Sequence, residues 1–213
     1  MLCRKAKSRK FELSPFVASG EAIDLVCDST GLKVYGEEAW KVGKHGWSKH
    51  RAWRKLHIGM DEKTQKIVVV VPTDNSIADS DVVEEFLNEV MEEISSFIGE
   101  GAIEKKVQKG LLPRKIKKII PPQENAVSRN APELIEKNDA IRSIREIGRK
   151  SWNEKIGYHR RSLVGVMRFR YKTICGEKLN SRIFENEKSE VRLNCSILNS
   201  MTFLGMPISV KVV

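Results

Sequence analysis

Two β-rich runs, 52–60 (AWRKLHIGM) and 66–72 (KIVVVVP), constrain this chain most. Asp61, Glu62, Lys63 and Thr64 lie between them, so the pair predicts a hairpin. The second run is apolar throughout. Such a strand has no face to offer to water, so the hairpin needs cover on both sides.

The flanking segments supply that cover. Residues 21–28 (EAIDLVCD) alternate and predict a strand that closes at Asp28, ahead of the breakers Ser29, Thr30 and Gly31. A helix is expected from Asp81, which pairs with Glu84 as a capping box would. Val82, Phe86, Leu87, Val90 and Ile94 continue it at helical spacing. Residues 95–100 (SSFIGE) predict a short, weak strand and 103–111 a helix. Residues 115–120 predict another strand, stopped by Pro121 and Pro122, and 123–132 a polar loop. Two helices over 133–172, broken near Gly157, and a last helix over 184–204 complete the chain. Three leading strands followed by alternation predict the α/β class: a mixed sheet with helices on both faces. The organisation reads as an irregular basic segment at 1–20 and one domain over 21–213.

Charge narrows the partners. The chain holds 38 Lys and Arg against 28 Asp and Glu, a formal charge of +10. That balance favours a polyanion, and charge alone does not choose among DNA, RNA and an anionic membrane surface. The longest purely aliphatic run, 67–71, falls far short of the ~20 residues of a membrane helix, so no membrane partner is expected. No apolar run follows the basic first ten residues, so a secretory signal is not expected either. Cys3, Cys27, Cys175 and Cys195 form no C-x-x-C pair and share no zinc spacing with His45, His50, His57 or His159. Reduced thiols in a reducing cytoplasm are the expectation.

Two places carry potential chemistry. Asp28, before two hydroxyl residues and a glycine, could hold a divalent cation at a cleft or simply start a turn. The segment 158–172 (YHRRSLVGVMRFRYK) places Tyr158, Arg161, Gly165 and Lys172 near one helical stripe that is polar and basic. Between residues 149 and 178 there are nine Lys or Arg and only two acids, Glu154 and Glu177. Such density can neutralise several phosphates or form a solvated basic face. The basic, aromatic stretch 36–50 reads as a loop. Its Trp40 and Trp47, with Trp53, could stack on bases or pack internally, and His45 and His50 fit phosphate contact or exposure. Asp61 reads as a turn residue, and Asp79 and Asp81 as helix-start residues. Asp24 shares a strand face with Asp28.

Residues 27–64, 98–104, 119–126, 158–172 and 197–207 together make the chain resemble the DDE-type transposases of bacterial insertion sequences. The resemblance implies a ribonuclease-H-like mixed sheet: three antiparallel leading strands, then alternating helices and strands, with flanking helices. It also implies three acids that hold two Mg²⁺ ions for phosphodiester hydrolysis and DNA strand transfer, in which two ions stabilise the attacking and leaving oxygens.

Residue by residue, Asp28 matches the first acid, and Glu100 stands where the family has its second Asp, within Gly99, Glu100, Gly101, Ala102, Ile103 and Glu104. Gly165 stands where the family has its Glu, while Tyr158, Arg161 and Lys172 of the same signature are present. Asp28 and Glu100 are therefore the implied catalytic and metal-holding residues. Lys33, Lys41, Lys44, Lys49, Arg51, Tyr158, Arg160, Arg161, Arg168 and Lys172 are the expected nucleic-acid contacts. A glutamate reaches about 1.3 Å further than an aspartate, and a misplacement near 1 Å can cost ~10²-fold in rate. Glycine offers no ligand at all. Met1 lies only 27 residues before Asp28, so the family's leading DNA-end-binding region is expected to be missing. The expectation is thus a shortened, degenerate copy with impaired catalysis, or a non-catalytic DNA-binding remnant, inert or interfering with intact transposase. A homo-oligomer and a mixed assembly with intact transposase both fit.

Overall fold

The computed structural model describes residues 13, 21–34, 53–100, 116–128, 135–181 and 183–205. The strands are β1 (Ile23–Val34), β2 (Trp53–Asp61), β3 (Ile67–Asp74), β4 (Ile94–Ile98), β5 (Lys117–Ile119) and β6 (Lys178–Leu179). The helices are α1 (Asp79–Glu89), α2 (Ile135–Ile147), α3 (Arg149–Ile156), α4 (Ser162–Ile174) and α5 (Phe184–Phe203), with a 3₁₀ turn, Tyr158–Arg161, ahead of α4.

The strands form one mixed sheet in the order β3-β2-β1-β4-β5, and β6 pairs with the far end of β1. β1, β2 and β3 are antiparallel neighbours, whereas β4, β5 and β6 run parallel to their partners. This is the α/β architecture expected of a ribonuclease-H-like fold.

Cover on both faces arrives as the apolar β3 run requires. Leu25 and Cys27 of β1, Val69 and Val71 of β3, and Phe97 of β4 meet Val82, Val83, Phe86 and Leu87 of α1. On the other face Val26, Ile58, Val70 and Ile98 meet Val164, Met167 and Tyr171 of α4 and Val191, Cys195 and Leu198 of α5. A register shift between Gly59 and Met60 puts Ile67 and Val70 on the same face. Gly59 allows α1 to sit this close, since a Cβ there would lie 2.6 Å from Val69 Cγ1 and 2.7 Å from Phe86 Cζ.

β3 is an edge strand, and α5 closes it. The Asn199 side chain accepts the Ile67 N–H at 2.8 Å and donates to the Ile67 carbonyl at 2.8 Å, copying the ladder of a missing neighbour. The fully buried Glu187 accepts from Arg54 Nε at 2.6 Å and ties α5 to β2. Cys27, Cys175 and Cys195 are free.

Several expectations change. β1 does not close at Asp28: β2 keeps pairing with it from Ser29↔His57 to Lys33↔Trp53, and that ladder overrides the local turn signal. Helix α1 starts at Asp79 behind Ala78, with no side-chain cap, so the Asp81–Glu84 box does not form the start. It ends at Glu89, and Ile94 opens β4 instead. The stretch 133–172 holds three helices, because Gly148 (φ 82°) interrupts it as well as Gly157 (φ 80°). Tyr158 and Arg161 consequently stand on the 3₁₀ turn before α4, and the expected stripe is not one helix. The helix at 103–111 and the loop at 36–50 lie outside the described residues.

Candidate active site

Asp28 sits where the sheet divides. β4 pairs with β1 as far as Val26↔Ile98 and then departs, while β2 continues alongside. The departure opens a crevice at the carboxyl end of β4, the usual ligand position in sheets with parallel strands. Alternation sends the Asp28 side chain to the α4 face, the face of Val26. Glu100 lies two residues beyond β4 at the same opening.

Two arginines meet these acids. Arg161 Nη2 donates to Asp28 Oδ1 at 3.1 Å and also bonds Glu100 Oε1. Arg168 places Nε 3.1 Å from Asp28 Oδ2 and donates from Nη1 to the Ser29 carbonyl at 3.1 Å. The Ser29 N–H adds a 2.9 Å bond to Asp28 Oδ1. The Asp28 side chain is only 7% exposed, so the bonds at its carboxylate are shielded from water.

Local structure explains the clamp. Gly157 takes the left-handed conformation that ends α3 and turns the chain through Tyr158–Arg161 onto Asp28. Gly165 falls four residues after Arg161 and three before Arg168, on the same side of α4. A Cβ on Gly165 would meet nothing within 4 Å. The Tyr158 hydroxyl hydrogen-bonds Arg161; burial raises its pKa while Arg161 pulls it down. Burial works against the charge on Arg161, but Tyr158, Asp28 and Glu100 outweigh it and raise its pKa.

The opposite wall of the crevice carries groups that nothing in the sequence joins to Asp28. Asp79, at the first turn of α1, accepts from Ser29 Oγ at 3.1 Å and lies 3.0 Å from Lys55 Nζ. His57 Nδ1 is 3.7 Å from Asp79, and its Nε2 bonds Thr73 Oγ1 at 3.0 Å. Burial lowers the His57 pKa to about 4, with Asp79 opposing and Lys55 assisting. Asp28, His57, Asp79 and Glu100 line one cavity. Asp79 is the helix-start residue that its sequence position predicts, and nothing local marks it as a neighbour of Asp28.

The remaining candidates scatter. Asp24 lies four residues, about 13 Å, up β1 from Asp28 and accepts from Ser95 and Ser96 hydroxyls at 2.6 and 2.5 Å. Arg160 is held there by Glu62 at 2.6 Å. Lys33 pairs with Glu177 at 3.0 Å over the Trp53 ring, and Lys172 acts on the same Glu177. Asp61 closes its turn by accepting from the Thr64 N–H and hydroxyl. Lys41, Lys44, Lys49, Arg51, Trp40, Trp47, His45, His50 and Glu104 lie outside the described residues. Among the described residues no three His, Cys, Asp or Glu side chains stand together as a metal cluster. No described helix is long and apolar enough to cross a membrane.

A family model described as a transposase DDE domain matches residues 20–203. No solved structure matches the chain.

Proposed function

The chain belongs to the transposase DDE-domain family, and from that premise we propose that it is a DNA-binding member whose strand-cutting and strand-joining chemistry is impaired. Transposases act on DNA, and this family normally employs divalent metal. The acids here do not fit a pair of such ions. Asp28 and Glu100 converge on one nitrogen of Arg161, so a guanidinium takes the position that a cation drawn to both would need. Position 165 contributes no oxygen, although the space beside it is open. Two-ion catalysis needs anionic ligands on both sides of the reacting phosphate. Asp28 and Glu100 can supply at most one side of that arrangement.

The carrying observation is the pairing of Asp28 with both Arg161 and Arg168 across the glycine that separates them. In such a site the acids stay neutralised, and the charge of +10 remains for the phosphate backbone. Lys33, Tyr158, Arg160, Arg161, Arg168 and Lys172 are the described members of the expected contact set, of which Arg161 and Arg168 already serve Asp28 and Lys33 already serves Glu177, and Lys41, Lys44, Lys49 and Arg51 would extend it. Such a protein binds DNA without cutting it, alone or in a mixed assembly with intact transposase, where it would interfere.

The test is Mg²⁺- and Mn²⁺-dependent nicking of plasmid DNA by the native chain and by a Glu100→Asp, Gly165→Glu double variant. Nicking by the double variant alone is expected. Robust, equal nicking by both proteins would overturn the proposal.

A further inference from the structure

A second basic site lies one strand beyond the acids. A cavity of about 310 Å³ opens between β5, α2 and α3, with Ile119, Pro122, Trp152 and Ile156 among its apolar lining. Four lysines line it, Lys117, Lys118, Lys137 and Lys155, against one acid, Glu136. Glu136 neutralises Lys118 at 3.1 Å. Lys117 and Lys155 are exposed.

Its placement gives that charge a direction. Ile98 and Ile119 are partners in the parallel β4–β5 ladder, so the chain leaves the sheet at neighbouring points towards Glu100 and towards the cavity. Adjacent strands are about 4.8 Å apart. Lys155 and Ile156 end α3, and the next turn carries Arg161 to Asp28 and Glu100. One helix end therefore serves both sites.

We propose that this lysine-lined groove is a phosphate-backbone subsite, which grips DNA at a point distinct from the acids and without reading its sequence. The inference rests on the DNA-binding reading above. Lysine ammonium groups act as point charges on phosphate and carry no base information. An apolar floor beneath a cationic rim lets a sugar–phosphate strand lie down without competition from buried carboxylates.

The experiment measures binding of a random-sequence DNA duplex to the full chain across a salt series. The variants are Lys117→Gln with Lys155→Gln, and a control that removes the same charge at the hairpin turn, Lys63→Gln with Lys66→Gln. Each phosphate contact contributes about 0.9 to the slope of log affinity against log salt. The groove variant should lose about 2 from that slope and bind about 10-fold or more weakly at low salt, while the control keeps the native slope. Thermal melts of all three proteins establish that they are folded. A native slope in the groove variant, or an equal loss in the control, would overturn the groove while leaving DNA binding intact. Absence of binding by the native chain would overturn both this proposal and the DNA-binding reading.

Discussion

Replacing Gly165 is the most direct probe of the position that the proposal reads as a lost acid. Gly165 lies inside α4, and a Cβ there enters open space. Gly165→Ala should therefore remove the helix-interior glycine penalty, about 0.8–1 kcal/mol, with no steric cost to set against it. For a chain of this size each kcal/mol raises Tm by roughly 2–4 °C. Gly165→Glu should recover most of that gain. Its carboxylate would also stand within one turn of Arg161 and Arg168, where each pair adds about 0.2–0.5 kcal/mol. The new group competes with Asp28 for the two guanidiniums and loosens the clamp. A metal response follows from the same geometry. Without Mg²⁺ both variants should melt a few degrees above the native chain. With Mg²⁺ the Glu variant alone should rise further, by about 2.7 kcal/mol of stabilisation at a hundredfold excess over Kd. The assay is a thermal melt with EDTA or graded MgCl₂, and the Ala variant serves as the ionic-strength control. A lower Tm for Gly165→Ala would show that the glycine is sterically required. A Mg²⁺ response of the native chain as large as that of the Glu variant would show that ions bind without residue 165.

Two further outcomes are expected. Asn199→Ala leaves the Ile67 N–H and carbonyl without their side-chain partners. At about 1–3 kcal/mol per orphaned group, urea unfolding should show a loss of about 2–6 kcal/mol, and a loss within error of zero would remove Asn199 as the closure of the β3 edge. Acid sensitivity should trace to His57, whose pKa is about 4 in the fold against an ordinary histidine value of 6.5. Between those values the unfolded chain takes up a proton that the folded chain refuses, so stability is full above the unfolded pKa and falls as pH drops through the window. The fall reaches about 3 kcal/mol at 1.36 kcal/mol per pKa unit. Chemical unfolding of the native chain and of His57→Gln from pH 7 to 4 should show this slope only in the native chain, and parallel profiles would refute it.

Local pattern carried much of the architecture. The alternation of 21–28, the apolar run of β3 and the spacing of Val82, Phe86 and Leu87 each follow from neighbours in sequence. Backbone geometry turns such spacing into buried faces. The basic segment 158–172 was legible in the same way, whereas Glu100 and Gly165 stood out only through the family resemblance, and their reading with Asp28 as acid positions belongs to the proposal.

What the residues do to one another belonged to the fold alone. Whether Asp28 ends a strand or lies within one depends on β2, which keeps pairing past it because Trp53 through His57 continue the ladder. That Arg161 and Arg168 clamp Asp28, rather than face solvent, depends on Gly157 turning the chain and on α4 packing across the sheet. Asp79 reaches the same crevice from α1, 51 residues further along the chain than Asp28. These contacts join parts of the chain whose local patterns are independent. Only closure of the sheet and its two helical layers sets the distances between their charges, and electrostatic strength depends on those distances and on exclusion of water.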